Sequence, residues 1–236
     1  MNVTFIIPCY NAEKIIVDNH NKLSSFLKKN KIKKKIIYIN DGSEDKTLEE
    51  LKKINKKDIK ILNNKKNSGK SFSIIKALKL VKKGNVVLID CDLPYFNYLK
   101  IVINKLNKCD LVIVNRKIKK SFNTEKNLNF YKLFRNFVSN ILGNIIEKKL
   151  KLNVSGDTQA GLKAFKISKK IRKENFLSKY YFFDIELINF FRKNKLKIKL
   201  IPVKFNISKK STIKILSLKN FKIIYEFYKI LKKCSN

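Results

Sequence analysis

Apolar positions along the chain fall into short continuous runs separated by stretches of helical spacing. The runs NVTFIIP, KIIYIN, IKILN, NVVLID and DLVIVN read as five strands. Each is apolar nearly throughout rather than alternating, as expected of strands covered on both faces. Between them, EKIIVDNHNKLSSFLKK, DKTLEELKKI, SFSIIKALKLVKK and YLKIVINKLNK repeat apolar residues every three or four positions and read as amphipathic helices. Strands alternating with helices of this length predict an α/β fold, with a mostly parallel central sheet and helices on both faces.

After Arg116 the pattern changes. KSFNTEKN reads as a polar loop and FYKLFRNFVSNILGNIIEKKL as a long helix with an aromatic face. VSGDTQAGLKAFK opens with turn residues and closes on a strand, YFFDIELINFFRKN is helical and LKIKLIPVKFN extended. LSLKNFKIIYEFYKILKK is a last helix, with Leu218, Phe221, Tyr225, Tyr228 and Leu231 on one side and Lys219, Lys222, Lys229 and Lys233 on the other. No internal repeat and no Pro- or Gly-rich linker interrupts the chain, so residues 1–236 are expected to form one domain.

The formal net charge of +37 is carried almost wholly by lysine. Such a charge suits an anionic partner, but an abundance of Lys, Asn and Ile also follows from codon bias at solvent-facing positions. Arginine stands only at 116, 135, 172 and 192. Its planar fork grips phosphate through two parallel hydrogen bonds, which lysine cannot copy. The cysteines at 9, 91, 109 and 234 form no CxxC pair, which argues against zinc and disulfide scaffolds and fits a reducing, cytoplasmic setting. No leader is visible, and no apolar run approaches the ~20 residues of a spanning helix. His20, the single histidine, lies in a polar helical stretch and is a poor candidate for a histidine-based triad.

Four polar clusters follow the first four strands: Pro8, Tyr10, Asn11 and Glu13; Asn40, Asp41, Gly42 and Ser43; Asn67, Ser68, Gly69 and Lys70; Asp90 and Asp92. In a parallel sheet these ends share one edge, where ligands bind. Asp90 and Asp92, two apart on an extended chain, point the same way. Like charges that close repel unless a cation lies beside them, and hard oxygen donors suit Mg²⁺ or Mn²⁺. A plain helix cap with a solvated neighbour is the simpler reading of D-x-D taken alone. NSGKS is not a phosphate-binding loop of the GxxxxGK type, because Asn64 occupies the place of its first glycine.

Together, IPCYNAE, NDGSEDKT, NSGK and DCDLP stand in the order and spacing of the family 2 glycosyltransferases of GT-A (nucleotide-diphospho-sugar transferase) fold. DTQAGLKAF, FFDIELI and KLIPVKF resemble segments of the polyprenyl- and dolichyl-phosphate sugar transferases within that family, and the resemblance runs from about Val3 to Ser211. It implies a nucleotide-sugar-binding half over 1–116 and an acceptor-binding half over 117–236. Pro8, Tyr10, Asn11, Glu13, Asp41, Lys70 and Asp90 would bind the donor nucleotide, and Asp90 and Asp92 the divalent ion. Arg116 and Arg135 would bind an acceptor phosphate. Asp157, Gln159, Asp184 and Glu186 would form the catalytic set, with the three carboxylates as candidate bases.

Three departures stand out: Asn40 for the first acidic residue of D-D-G-S, Ala12 for the more usual Glu, and Pro94 where some mannosyl enzymes carry Gln. The last, with D-T-Q, leans toward UDP-glucose over GDP-mannose. The resemblance implies metal-dependent, inverting transfer to a polyprenyl phosphate. With no spanning segment, contact with the cytoplasmic face of a membrane would be peripheral, through the basic amphipathic last helix. The same helix could instead pack its apolar side on the core. Two rival functions are transfer to a soluble or glycan hydroxyl and a basic nucleic-acid-binding module. Carboxylates gathered at the sheet edge oppose the second, so no nucleic-acid partner is expected.

Overall fold

In this computed structural model the described residues are 2–54, 57–123, 130–205 and 219–235, with the side chains at 123, 130–139 and 219–221 outside that set. β1 (Asn2–Cys9) pairs in parallel with β2 (Lys33–Asn40) on one side and β4 (Asn85–Ile89) on the other, and β2 pairs in parallel with β3 (Ile59–Asn63). Beyond β4, β7 (Leu162–Lys166) runs antiparallel to both β4 and β5 (Leu111–Asn115), and β8 (Ile198–Pro202) is parallel to β5. The order is β3-β2-β1-β4-β7-β5-β8.

Burial on both faces follows from the period of two along each strand. On β1, Phe5, Ile7 and Cys9 join one core layer and Ile6 the other; on β4, Val87 and Ile89 oppose Val86 and Leu88. The first layer is completed by α1 (Ile16–Lys29), α2 (Thr47–Lys53) and α4 (Leu99–Lys105). The second is completed by α3 (Lys70–Leu78), the end of α5 (Phe130–Leu150), α7 (Phe183–Lys193) and α8 (Lys219–Ser235).

Several local expectations are revised. β7 was legible as a strand, but its antiparallel insertion between β4 and β5 was not. Phe122 and Asn123, read as loop, form β6 (Phe122–Asn123), which pairs with β9 (Lys204–Phe205). The run LKIKLIPVKFN therefore breaks at Val203 into β8 and β9. A five-residue helix, α6 (Lys169–Lys173), starts where Ser168 accepts the Ile171 N–H at 3.2 Å; it is too short and lysine-rich to show periodicity. His20 is buried, its Nδ1 3.0 Å from the Tyr38 hydroxyl. Among the described residues no helix is long and apolar enough to cross a membrane.

Candidate active site

The strand order reverses at β1: β2 lies to one side and β4, reached after β3, to the other. Such a switch point opens a crevice at the C-terminal strand ends. The register brings Ile6 level with Leu88, so Pro8 and Asp90 flank that crevice.

The loops after β1 and β2 are laced together. Asn11 donates its N–H to Ser43 Oγ (3.0 Å) and accepts the Glu44 N–H on Oδ1 (3.0 Å). Glu13 accepts the Lys46 N–H (3.0 Å), and the Ala12 N–H reaches Thr47 Oγ1 (2.7 Å). Asn11 adopts left-handed backbone geometry (φ 49), which asparagine tolerates better than most residues. Tyr10 is half-buried at the mouth. Asn40 also finds its reason here. Its amide donates to Asn63 Oδ1 (2.7 Å) and accepts the Ser43 N–H (3.3 Å), and a carboxylate could do only the second.

Asp41 is buried and fixes the loop that leads into α3. Its Oδ1 accepts from Asn64 Nδ2 (2.8 Å) and the Ser68 N–H (3.0 Å), and its Oδ2 from the Gly69 N–H (2.9 Å). Gly69 has φ +102, and a Cβ there would lie 2.4 Å from the Lys179 carbonyl oxygen. The next N–H groups, of Ser71 and Phe72, donate to the carbonyls of Tyr180 (3.0 Å) and Lys179 (2.9 Å). The start of α3, and with it Lys70, is thereby pinned between two loops.

Charged groups alternate around the crevice. Lys70 Nζ lies 2.6 Å from Asp90 Oδ1, and the buried Lys163 contacts Asp184 Oδ1 at 3.1 Å and the Ala160 carbonyl at 2.5 Å. Pro8, Lys70, Asp90, Gly161, Lys163 and Asp184 line one small cavity. Desolvation works against the Lys70 ammonium, but Asp90, Asp184 and Asp92 more than offset it and raise its pKa. Desolvation and the neighbouring Asp90 carboxylate raise Asp92. Three carboxylates thus face two ammoniums. Among the described residues no cluster of three or more His, Cys, Asp or Glu is arranged to hold a metal. Two aspartates with the remaining positions left to phosphate and water is nevertheless the usual way Mg²⁺ is held, so the donor set fits such an ion.

A second centre lies at the end of β5. Arg116 grips Asp157 through Nη2 to Oδ1 (2.6 Å) and Nε to Oδ2 (3.1 Å), and its backbone N–H also reaches Oδ2 (2.6 Å). Burial opposes ionisation of Asp157, but Arg116 wins and holds its pKa below the usual range. Glu147 of α5 braces the preceding loop by accepting N–H groups of Asn153, Val154 and Gly156. The Tyr95 hydroxyl meets Arg116 from the D-x-D side, and desolvation raises its pKa.

The predicted catalytic set therefore separates. Both oxygens of Asp157 are engaged by Arg116, which sets it aside as a free base. Glu186 is buried away from the crevice and accepts the N–H groups of Leu177 (2.9 Å) and Ser178 (2.8 Å) and the Lys233 ammonium (2.9 Å), which sets it aside too. Asp184 alone of the three lies at the cavity. Gln159 is exposed on the segment before β7, and Arg135 lies on α5 with its side chain outside the described set.

Sequence reasoning missed Tyr95, Gly161 and Lys163. A Cβ on Gly161 would stand 2.7 Å from Asp90 Oδ2 and 2.8 Å from Pro94 Cγ. Lys163 did leave a signal, a lone lysine inside the apolar run GLKAF. Tyr95 left none, because its role depends on left-handed turns at Leu93 (φ 50) and Tyr95 (φ 59).

A mixed sheet with acidic residues and a pinned lysine at its switch point has the GT-A architecture. Residues 4–169 match Glycosyl transferase family 2, and the chain belongs to that family. A dolichyl-phosphate beta-glucosyltransferase of Trichomonas vaginalis is 29% identical over 235 residues, covering 90% of this chain and 68% of that protein. A poly-beta-1,6-N-acetyl-D-glucosamine synthase of Staphylococcus aureus is 35% identical over 91 residues, covering 38% of this chain and 21% of its own. Among solved structures, glucosyl-3-phosphoglycerate synthase of Mycobacterium tuberculosis superposes with a TM-score of 0.67 at 16% identity, covering 98% of this chain and 81% of that one. The same synthase has been crystallised with Mn²⁺ and UDP-glucose, and with phosphoglyceric acid.

Proposed function

We propose that this glycosyltransferase moves a sugar, glucose ahead of mannose, from a nucleotide-diphosphate sugar to a polyprenyl phosphate, with inversion. The observation that carries the reading is Arg116, held in a two-pronged grip by Asp157 and joined through Tyr95 to the turn that bears Asp90 and Asp92. With its Nε–Nη2 edge held by Asp157, the guanidinium keeps its remaining Nη protons for an anion beside the donor diphosphate. The similarity to a dolichyl-phosphate beta-glucosyltransferase over 90% of the chain supports the acceptor, and UDP-glucose in a fold relative agrees with the donor.

On this reading 1–116 is the donor-binding half, with Arg116 at its end turned to the acceptor, and 117–236 the acceptor-binding half, within one domain. Pro8, Tyr10, Asn11, Glu13 and Asp41 frame the nucleoside, Lys70 faces the diphosphate, and Asp90 and Asp92 hold Mg²⁺ or Mn²⁺. A divalent ion there supplies positive charge to the leaving diphosphate. Arg116 and Arg135 orient the acceptor phosphate. One of its oxygens attacks the anomeric carbon from the face opposite the diphosphate. The bond to the diphosphate oxygen breaks, and the electron pair leaves with that oxygen. A phosphate monoester, with a second pKa of about 6, is already largely ionised at neutral pH and needs little help from a base. Engagement of Asp157 by Arg116 therefore costs the reaction nothing, and Asp184 is the carboxylate left to face the acceptor.

Peripheral contact with the cytoplasmic face of a membrane fits α8 in an altered form. Tyr225 and Tyr228 are exposed together with Ile224, whereas Leu231 packs inward with Ile230 and Cys234. The inward face packs on the core, and the outward one is the face left for a membrane contact. Exposed Lys222, Lys229 and Lys232 flank the outward one, a combination suited to an anionic surface.

Transfer of label from UDP-glucose into a polyprenyl-phosphate fraction with Mn²⁺ present tests the reading. The expected result is lipid-phase label that EDTA abolishes. GDP-mannose as the only active donor would replace the sugar. Label passing only to a soluble acceptor such as 3-phosphoglycerate would replace the acceptor, since Arg116 would recognise any phosphate monoester.

A further inference from the structure

Lys70 occupies a position that donor binding alone does not explain. Its ammonium is 2.6 Å from Asp90 Oδ1, and each of these side chains is only about one-third exposed (33%). Asp184, on the far side, is already paired with Lys163. The lysine cannot drift away with a mobile loop. The Gly69 N–H is tied to Asp41, the Ser71 N–H to the Tyr180 carbonyl, and a Cβ at Gly69 would collide with the Lys179 carbonyl. The fold thus holds the root of Lys70 in place and sets its ammonium against one oxygen of the D-x-D pair.

We propose that Lys70 is a resident counter-ion of the D-x-D pair, and that a divalent ion enters only together with a nucleotide diphosphate, which draws the ammonium off Asp90. This rests on the donor site described under the proposed function. A Mg²⁺-sized ion bonds oxygen at about 2.1 Å. With Lys70 in place, two cations would share one carboxylate, and their repulsion opposes metal binding. An incoming diphosphate removes the conflict from both sides. It gives the ammonium anionic oxygens of its own and gives the metal further ligands. Metal and nucleotide then raise each other's affinity by the same factor, as linkage requires. The free enzyme keeps its acidic edge neutralised without holding a metal, and the lysine is delivered to the diphosphate when the donor arrives.

Binding of Mn²⁺ to the whole protein, followed by loss of the free-ion electron paramagnetic resonance signal, tests this in wild type, Lys70→Met and Lys70→Gln, each with and without UDP. Without nucleotide, both variants are expected to bind Mn²⁺ about tenfold more tightly than wild type, and UDP to tighten binding less in them than in wild type. UDP brings phosphate ligands of its own, so tightening in wild type does not decide the matter; the variants without nucleotide do. Variants that bind Mn²⁺ alone no better than wild type overturn the inference while leaving the metal site standing. Absence of Mn²⁺ binding in every protein, even with UDP, overturns the metal reading and this inference with it. Should the variants not fold, thermal unfolding of wild type serves. A Tm raised as much by Mn²⁺ alone as by Mn²⁺ with UDP overturns the inference.

Discussion

Arg116 and Asp157 are joined by two side-chain hydrogen bonds, and the Arg116 backbone N–H adds a third to the same carboxylate. The pair ties the end of β5 to the loop before β7. Asp157 is 1% exposed and Arg116 31%, so the carboxylate depends on its partner while the guanidinium keeps some access to solvent.

Asp157→Asn is therefore expected to cost stability. Breaking a fully buried pair costs about 3–5 kcal/mol; partial exposure of Arg116 brings the expectation to about 2 kcal/mol. The sign with pH follows from the lowered folded pKa of Asp157. Its contribution is complete above the unfolded aspartate value of about 3.9 and is lost as pH falls through the lower folded value. Urea unfolding of wild type and variant should show a gap at pH 7 that closes in strong acid. A gap independent of pH would show that the charge of Asp157 is not what matters.

Arg116→Lys retains charge but loses the fork. Acceptor KM is expected to rise about tenfold or more with donor KM little changed. Equal rises in both would place Arg116 on the donor side instead.

Gly161→Ala tests the spacing at Asp90. A methyl group 2.7 Å from Asp90 Oδ2 and 2.8 Å from Pro94 Cγ requires the Asp90 carboxylate and the Pro94 ring to move. Activity should fall by about 10²-fold, the scale of an ångström-sized misplacement, with a much smaller change in Tm. Full activity would mean that the turn yields freely.

Glu226 reaches from α8 to accept the Ser178 hydroxyl (2.8 Å) and the N–H groups of Lys179 and Tyr180 (both 3.1 Å). Those residues present the carbonyls that receive the first turn of α3, where Lys70 sits. Glu226→Ala strands these donors and is expected to cost about 1–3 kcal/mol and to raise donor KM. A loss of stability with donor KM unchanged would confine Glu226 to a purely structural part.

On α8, Tyr225→Glu and Tyr228→Glu should leave folding intact and reduce sedimentation with anionic vesicles, because both side chains are 59% exposed. Ile230→Glu, fully buried, should unfold the protein. Vesicle binding that survives both tyrosine changes would rule out this face as the contact.

Local pattern made most of the fold legible. Continuous apolar runs marked strands covered on both faces, and polar residues immediately after four of them marked one shared edge, because the termini of parallel strands must share a side. The D-x-D pair, the residues around Asn11 and Asp41, and Lys70 were all visible in this way. Other features were set by partners far away in sequence. Whether β7 runs parallel or antiparallel depends on which neighbours it meets, and nothing in GLKAF records that. Asp157, Asp184 and Glu186 look alike in sequence; the structure gives one to Arg116, leaves one beside the cavity and uses one to brace a loop. Charge and residue type are properties of the chain alone, but which carboxylate lines the cavity, and which lysine stands against Asp90, is decided by distance and burial, which exist only once the chain has folded.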